Sequence, residues 1–128
     1  MKPEVLSFFD TATHTISYLV SDPATGAAAI IDSVLGYDAA SGRTDFKAAD
    51  QIIAAVSERR LTVAWIIESH VHADHLSAAP YLRAKLGGQV AIGAAISEVQ
   101  RVFGDIFNVG DGFRSDGRQF DKLFQDGE

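Results

Sequence analysis

The chain has no cysteine. That excludes disulfides, thiolate metal ligands and a cysteine nucleophile, and it fits a reducing, cytoplasmic compartment. No apolar run approaches the length needed to cross a bilayer, so a spanning helix is excluded and no membrane partner is expected. The N-terminus, Met1-Lys2-Pro3-Glu4, lacks the basic region, hydrophobic segment and cleavage site of a secretory signal. Excess positive charge is also missing. The formal net charge is −6 and the isoelectric point about 5.0, which argues against nucleic acid as a partner, because that role needs a basic patch. Against these absences, 128 residues with 47% hydrophobic and 22% charged composition suit one soluble globular domain with a real core.

Periodicity places the elements. Val5 to Phe9 reads as a short strand, and Thr15 to Ser21 alternates polar and apolar residues as a half-buried strand does. Asp22-Pro23-Ala24-Thr25-Gly26 carries turn chemistry, and Ala27 to Ile31 returns as a strand ending at Asp32. Gly36 to Asp45, with two glycines among Asp, Ser and Thr, is expected to be a loop. Helical spacing of Ala49, Ile52, Ile53 and Val56 predicts a helix from Phe46 to about Arg59 or Arg60. Leu61 to Ile67 is nearly continuous in apolar residues, as in a strand covered on both faces, with Trp65 expected in the core. Ser77 is a plausible N-cap for a helix to Leu86, with Pro80 in its first turn and Gly87-Gly88 at its end. Gln89 to Ile92 reads as a strand, Ile96 to Phe107 as an amphipathic helix, and Gly110 to Gly117 as a loop. Phe120 to Glu128 looks like the lead into a turn. The order is that of an α/β layer arrangement with an antiparallel start and helices on one face.

The chemistry lies between the fourth strand and the helix that follows it. His70-Val71-His72-Ala73-Asp74-His75 holds three of the four histidines plus a carboxylate, and such residues are the usual ligands of zinc and iron. If the strand runs on through the motif, His70 and His72 point to one side and converge on one ion. After a turn, Asp74 and His75 face a second ion or hold a bound water. The cluster is internal, so it is not a purification tag, and the i, i+4 spacing of helical zinc proteases is absent.

These residues resemble the metallo-β-lactamase superfamily. The pattern is a strand hairpin ending in Ile30-Ile31-Asp32, a helix, a buried strand, then H-x-H-x-D-H leading into a helix. Ser17-Tyr18-Leu19-Val20, Ile30 to Val34 and Ser69 to Ser77 are most similar to the branch of persulfide dioxygenases, glyoxalase II and the bacterial β-lactamase-hydrolase-like proteins. The resemblance implies an αββα sandwich, of which residues 1–128 supply roughly the N-terminal αβ half of a single domain. It implies His70 and His72 as ligands of a first site and Asp74 and His75 as ligands of a second, with Asp74 the catalytic carboxylate. Asp32 would orient the ligand loop through hydrogen bonds; as a bare sequence feature it reads equally as a turn or cap aspartate. His14 matches no ligand of the family and reads as a strand histidine. Arg43, Arg83 and Arg101 read as solvated surface charges.

One departure from the family pattern matters. A third histidine, a bridging aspartate and often a final histidine lie, in the family, beyond the equivalent of residue 128. A half sandwich would bare one face of its sheet. Three functions follow. The first is a mononuclear iron(II) persulfide dioxygenase acting on a small thiol-derived substrate such as glutathione persulfide. The second is a dinuclear zinc, glyoxalase II-like thioester hydrolase. The third is an inactive fragment that binds a partner or its own missing half. A homodimer is compatible with all three.

Overall fold

The computed structural model describes residues 2–72, 75–108, 110 and 116–128. The N-terminal third is a meander. β1 (Glu4–Asp10), β2 (Thr15–Ser21) and β3 (Ala27–Ile31) pair antiparallel, with Val5 opposite Val20 and Leu19 opposite Ile30. The Asp22 side chain builds the second turn by accepting from the Ala24 N–H at 2.9 Å, and Gly26 supplies a φ of +77°. The expected loop at 36–45 is instead a small hairpin of β4 (Val34–Asp38) and β5 (Arg43–Asp45). Its turn is held by Asp38, which accepts from the Ala40 amide and the Ser41 hydroxyl.

α1 (Lys47–Glu58) buries Ala49, Ile52, Ala55 and Val56, the stripe its spacing predicts. β6 (Thr62–Ile67) then lies parallel to β3, and after the histidine motif comes the short β7 (Leu76–Ser77), antiparallel to β4. α2 (Ala79–Leu86) follows with Ala78 at its N-cap. Ser77 thus stands one residue before the cap, paired with β4, and its Oγ still accepts the Ala79 N–H of the first turn. Gly87 ends α2 at φ +75°. β8 (Gln89–Gly93), α3 (Ile96–Ile106) and β9 (Lys122–Phe124) complete the order. β9 pairs parallel to β8, so the expected turn region near the end contributes a strand. Of the loop expected at 110–117, residues 111–115 lie outside the described residues.

The main sheet has the order β1-β2-β3-β6-β8-β9, and β5-β4-β7 form a second, three-stranded sheet. α1 and α2 seal one face of the main sheet over Leu19, Ile30, Ile66 and Val90, with Ile52 and Leu82 fully buried between. Each such side chain contributes on the order of 1.5–3 kcal/mol by leaving water. Phe46 stacks on Tyr81 with centroids 3.9 Å apart, and the Tyr81 hydroxyl donates to Asp50 at 2.6 Å, which joins α1 to α2. The opposite face is bare at its antiparallel end, where Val5, Phe9, Ile16 and Tyr18 are exposed. β6 is accordingly not covered on both faces: Trp65 is half-buried against Phe124 at 5.2 Å. Among the described residues no helix is long and apolar enough to cross a membrane.

Candidate metal centre

β3, β6 and β8 run parallel, and their carboxyl ends lie side by side, the place where open α/β sheets gather ligand-binding groups. Asp32 follows β3 and Glu68 follows β6. Each is pinned by its own backbone: the Asp32 N–H donates to Ile67 O and the Glu68 N–H to Ala91 O, both at 2.9 Å. Asp32 also takes a φ of +55°, a turn that aspartate tolerates better than most residues.

β6 ends at Ile67, so the motif does not continue as a strand and the pleat does not set His70 beside His72. Asp32 does so instead. Its Oδ1 accepts from the Ser69 amide at 2.7 Å and from His72 Nε2 at 2.9 Å, while its Oδ2 accepts from the Ser69 hydroxyl at 2.7 Å. Burial alone would raise the Asp32 pKa, but the bonds from Ser69 and His72 outweigh it and hold the carboxyl below its ordinary value. Asp32 is thus a carboxylate, which leaves the proton on His72 Nε2 and the lone pair of that ring on Nδ1.

The same reasoning assigns the other two imidazoles. The single Ser69 proton goes to Asp32, so at the 2.8 Å contact with His70 the serine oxygen accepts and His70 Nδ1–H donates. His75 Nδ1 donates to the Leu76 carbonyl at 2.9 Å. The lone pairs therefore sit on His70 Nε2, His72 Nδ1 and His75 Nε2. The rings form a row, with centroids 4.1 Å apart from His70 to His72 and 4.2 Å from His72 to His75. His75 Nε2 is buried and has no hydrogen-bond partner among the described residues. A buried lone pair without a donor is costly, and a divalent cation satisfies it. Three imidazoles, each with its far nitrogen committed to an oxygen, make the donor set that metal-binding histidines display, so the residues present fit a metal. Asp74 lies outside the described residues.

Glu68 is not among the residues the sequence singled out. It is 6% exposed. Its Oε1 accepts from the Ser77 hydroxyl, and its Oε2 lies 3.6 Å from His72 Nε2 without a hydrogen bond of its own among the described residues. Burial is the main reason that its pKa is pushed up to about 7, with the Asp32 charge adding to it and the Ser77 bond and His72 opposing it. Asp32, Glu68 and His72 bring one ligand atom each within 4.8 Å of one another. That trio would use His72 Nε2, which already donates to Asp32, so it reads as the layer behind the motif. The available signal for Glu68 was its position: a carboxylate prolonging an apolar strand straight into a metal motif.

Clefts open beside the histidine row. One of about 390 Å³ is lined by Glu68, His70, His72, His75 and Phe120. Another, about 600 Å³, lies against Thr13, Leu35, Tyr37, His72 and His75. His14 is not in a strand: it sits in the β1–β2 turn at φ +58°, against Phe9.

Comparison with known proteins agrees with this geometry. The model of the metallo-beta-lactamase superfamily matches residues 10–125. Over 124 residues the chain is 56% identical to a probable metallo-hydrolase of Burkholderia pseudomallei, covering 97% of this chain and 42% of that protein. Over 128 residues it is 44% identical to glyoxylase B2 of Dictyostelium discoideum, covering 99% of this chain and 43% of that protein. The crystal structure of ETHE1 from Myxococcus xanthus superposes with a TM-score of 0.57 at 31% identity, over 69% of this chain and 34% of that one. The chain thus spans under half the length of the curated relatives it matches. The expected family and the α/β fold class are borne out.

Proposed function

This chain belongs to the metallo-β-lactamase superfamily, and we propose that His70, His72, Asp74 and His75 hold its catalytic metal, Fe(II) or Zn(II), as one ion or two. The observation that carries this reading is the hydrogen-bond pattern of the row: each imidazole gives one nitrogen to an oxygen partner, and His75 Nε2 is buried with no hydrogen-bond partner among the described residues. Asp32 orients the span by gripping Ser69 and His72. Asp74 is the carboxylate of the site and its catalytic residue. The remaining ligands, and a layer over the bare sheet face, come from sequence outside residues 1–128, which form the N-terminal portion of one domain. The chain's length against its relatives supports this.

The reaction we infer is oxidation of a glutathione persulfide or a similar small thiol-derived substrate with a single iron, in line with the branch that the motif and hairpin stretches resemble. A metal bound here supplies Lewis acidity, and iron adds redox chemistry with oxygen. The chain's own part is to orient the imidazoles through their oxygen partners, and to leave clefts beside the row for substrate. The second reading, a dinuclear zinc thioester hydrolase, is favoured by the likeness to a probable metallo-hydrolase and to glyoxylase B2. Metal analysis of the complete polypeptide, with oxygen uptake on glutathione persulfide set against cleavage of a glutathione thioester, separates them. One iron with oxygen consumption is the expected result; two zinc ions with thioester cleavage alone would replace the first reading with the second.

A further inference from the structure

Glu68 and Ser77 stand at the two ends of the span that carries the whole histidine motif. Glu68 is fixed by the bond from its N–H to Ala91 O in the main sheet. Ser77 is fixed by its pairing with Val34 in the second sheet, and its Oγ accepts the Ala79 N–H at 3.0 Å as α2 begins. The Ser77 hydroxyl gives its one proton to Glu68 Oε1. This bond joins the end of β6 to β7 and α2 across the base of the span.

We propose that Glu68 is a positioning residue of the metal site: clasped to Ser77, it sets the distance between the two ends of the span, and so the relation of His70 and His72 to His75. The inference rests on the metal reading above. Two further observations support it. Glu68 is buried with no Lys or Arg ion pair among the described residues, and a carboxylate kept there for stability alone would be better replaced by an apolar side chain. Its second oxygen also lies 3.6 Å from His72 Nε2, on the edge of the ring that Asp32 already holds, so Glu68 limits the tilt of the central imidazole of the row.

The test is Co(II) binding to the complete polypeptide, read as a dissociation constant and as the visible d–d spectrum, with circular dichroism to confirm folding. Ser77→Ala and Glu68→Ala are each expected to weaken binding about tenfold or more and to alter the spectrum, as loss of outer partners does. Glu68→Gln keeps an oxygen for Ser77 and should return affinity to within about threefold of wild type. The double variant Glu68→Ala/Ser77→Ala should be no weaker than the worse single, because both remove one bond. Wild-type affinity and spectrum in a folded Glu68→Ala protein would overturn the proposal, as would a Gln variant as weak as the Ala variant, or additive losses in the double. If Glu68→Ala fails to fold, unchanged binding by Ser77→Ala overturns it equally. Failure of the underlying metal reading looks different: wild-type protein would take up no Co(II), or His70→Ala would not lower its uptake.

Discussion

Two turns of this molecule carry histidine, and they treat it in opposite ways. At the β1–β2 turn, His14 is exposed at φ +58°, with its ring centroid 6.1 Å from Phe9 and no hydrogen bond to a ring nitrogen among the described residues. In the span between β6 and β7, three imidazoles each donate from one nitrogen to a serine, a carboxylate or a carbonyl oxygen. Proximity does not make the difference, since Thr13 beside His14 lines the same cleft as His72 and His75. A histidine becomes fit for a metal when its surroundings fix which nitrogen carries the proton. In this chain a single aspartate, Asp32, does that for one ring directly and for another through Ser69.

The strongest way to break the comparison is to exchange the consequences of the two turns. In the complete protein, His70→Ala is expected to lower kcat/KM more than about 100-fold by removing a ligand, while His14→Ala stays within about twofold of wild type. Equal losses would place His14 in the site. The next largest effect should come from Asp32→Ala, which frees Ser69 and His72 together. Metal affinity should fall about 10- to 100-fold, measured by chelator competition. An Asp32→Ala protein that kept wild-type affinity would show that the span holds its imidazoles without that grip.

Much of this was legible in the sequence, and what escaped has physical reasons. Alternation in Thr15 to Ser21 and helical spacing in α1 are local signals, and each marked its element; the density of His in the motif marked the span where three imidazoles line up. β4 and β5 escaped because Gly36, Ser41 and Gly42 read as loop. Gly36 lies opposite Asp45, and a Cβ there would crowd the Asp45 carboxylate, which would have to turn aside. β9 is three residues long and exists only because β8 offers a parallel edge. Ser77 pairs with β4 one residue before the N-cap, yet its Oγ accepts a first-turn amide from Ala79 while its proton goes to Glu68. Glu68 itself is ordinary in sequence. Its burial follows from where β6 stops, and that is a tertiary fact.

A smaller effect separates the two buried carboxylates. Glu68 in the folded, metal-free chain holds its proton up to about pH 7, against 4.5 as its ordinary value. Between those values the folded state binds more protons than the unfolded one, so stability falls as pH rises through the window, by roughly 2–3 kcal/mol. Asp32 has the opposite sign: its pKa is lowered, so its contribution is present above its ordinary value of 3.8 and lost as pH falls toward and below it. Urea melts of metal-free Glu68→Gln and wild-type protein should coincide near pH 4.5 and diverge by pH 8, with the variant the more stable. A constant difference at every pH would remove Glu68 as the source.

The smallest effect returns to His14. A left-handed backbone costs a non-glycine residue on the order of 1 kcal/mol, and histidine tolerates it better than most. Glycine relieves that strain but adds freedom to the unfolded chain, worth about 0.5–1 kcal/mol in the other direction. His14→Gly should therefore shift stability by less than about 1 kcal/mol in either direction, and metal content should not change. The turn also borders the cleft through Ala12 and Thr13, so the informative quantity is KM. If the turn acts only as a wall, a more pliable turn raises KM and leaves kcat in place. A fall in kcat with unchanged KM would mean that the histidine excluded from the row reaches the reacting groups, and the contrast between the two turns would no longer hold.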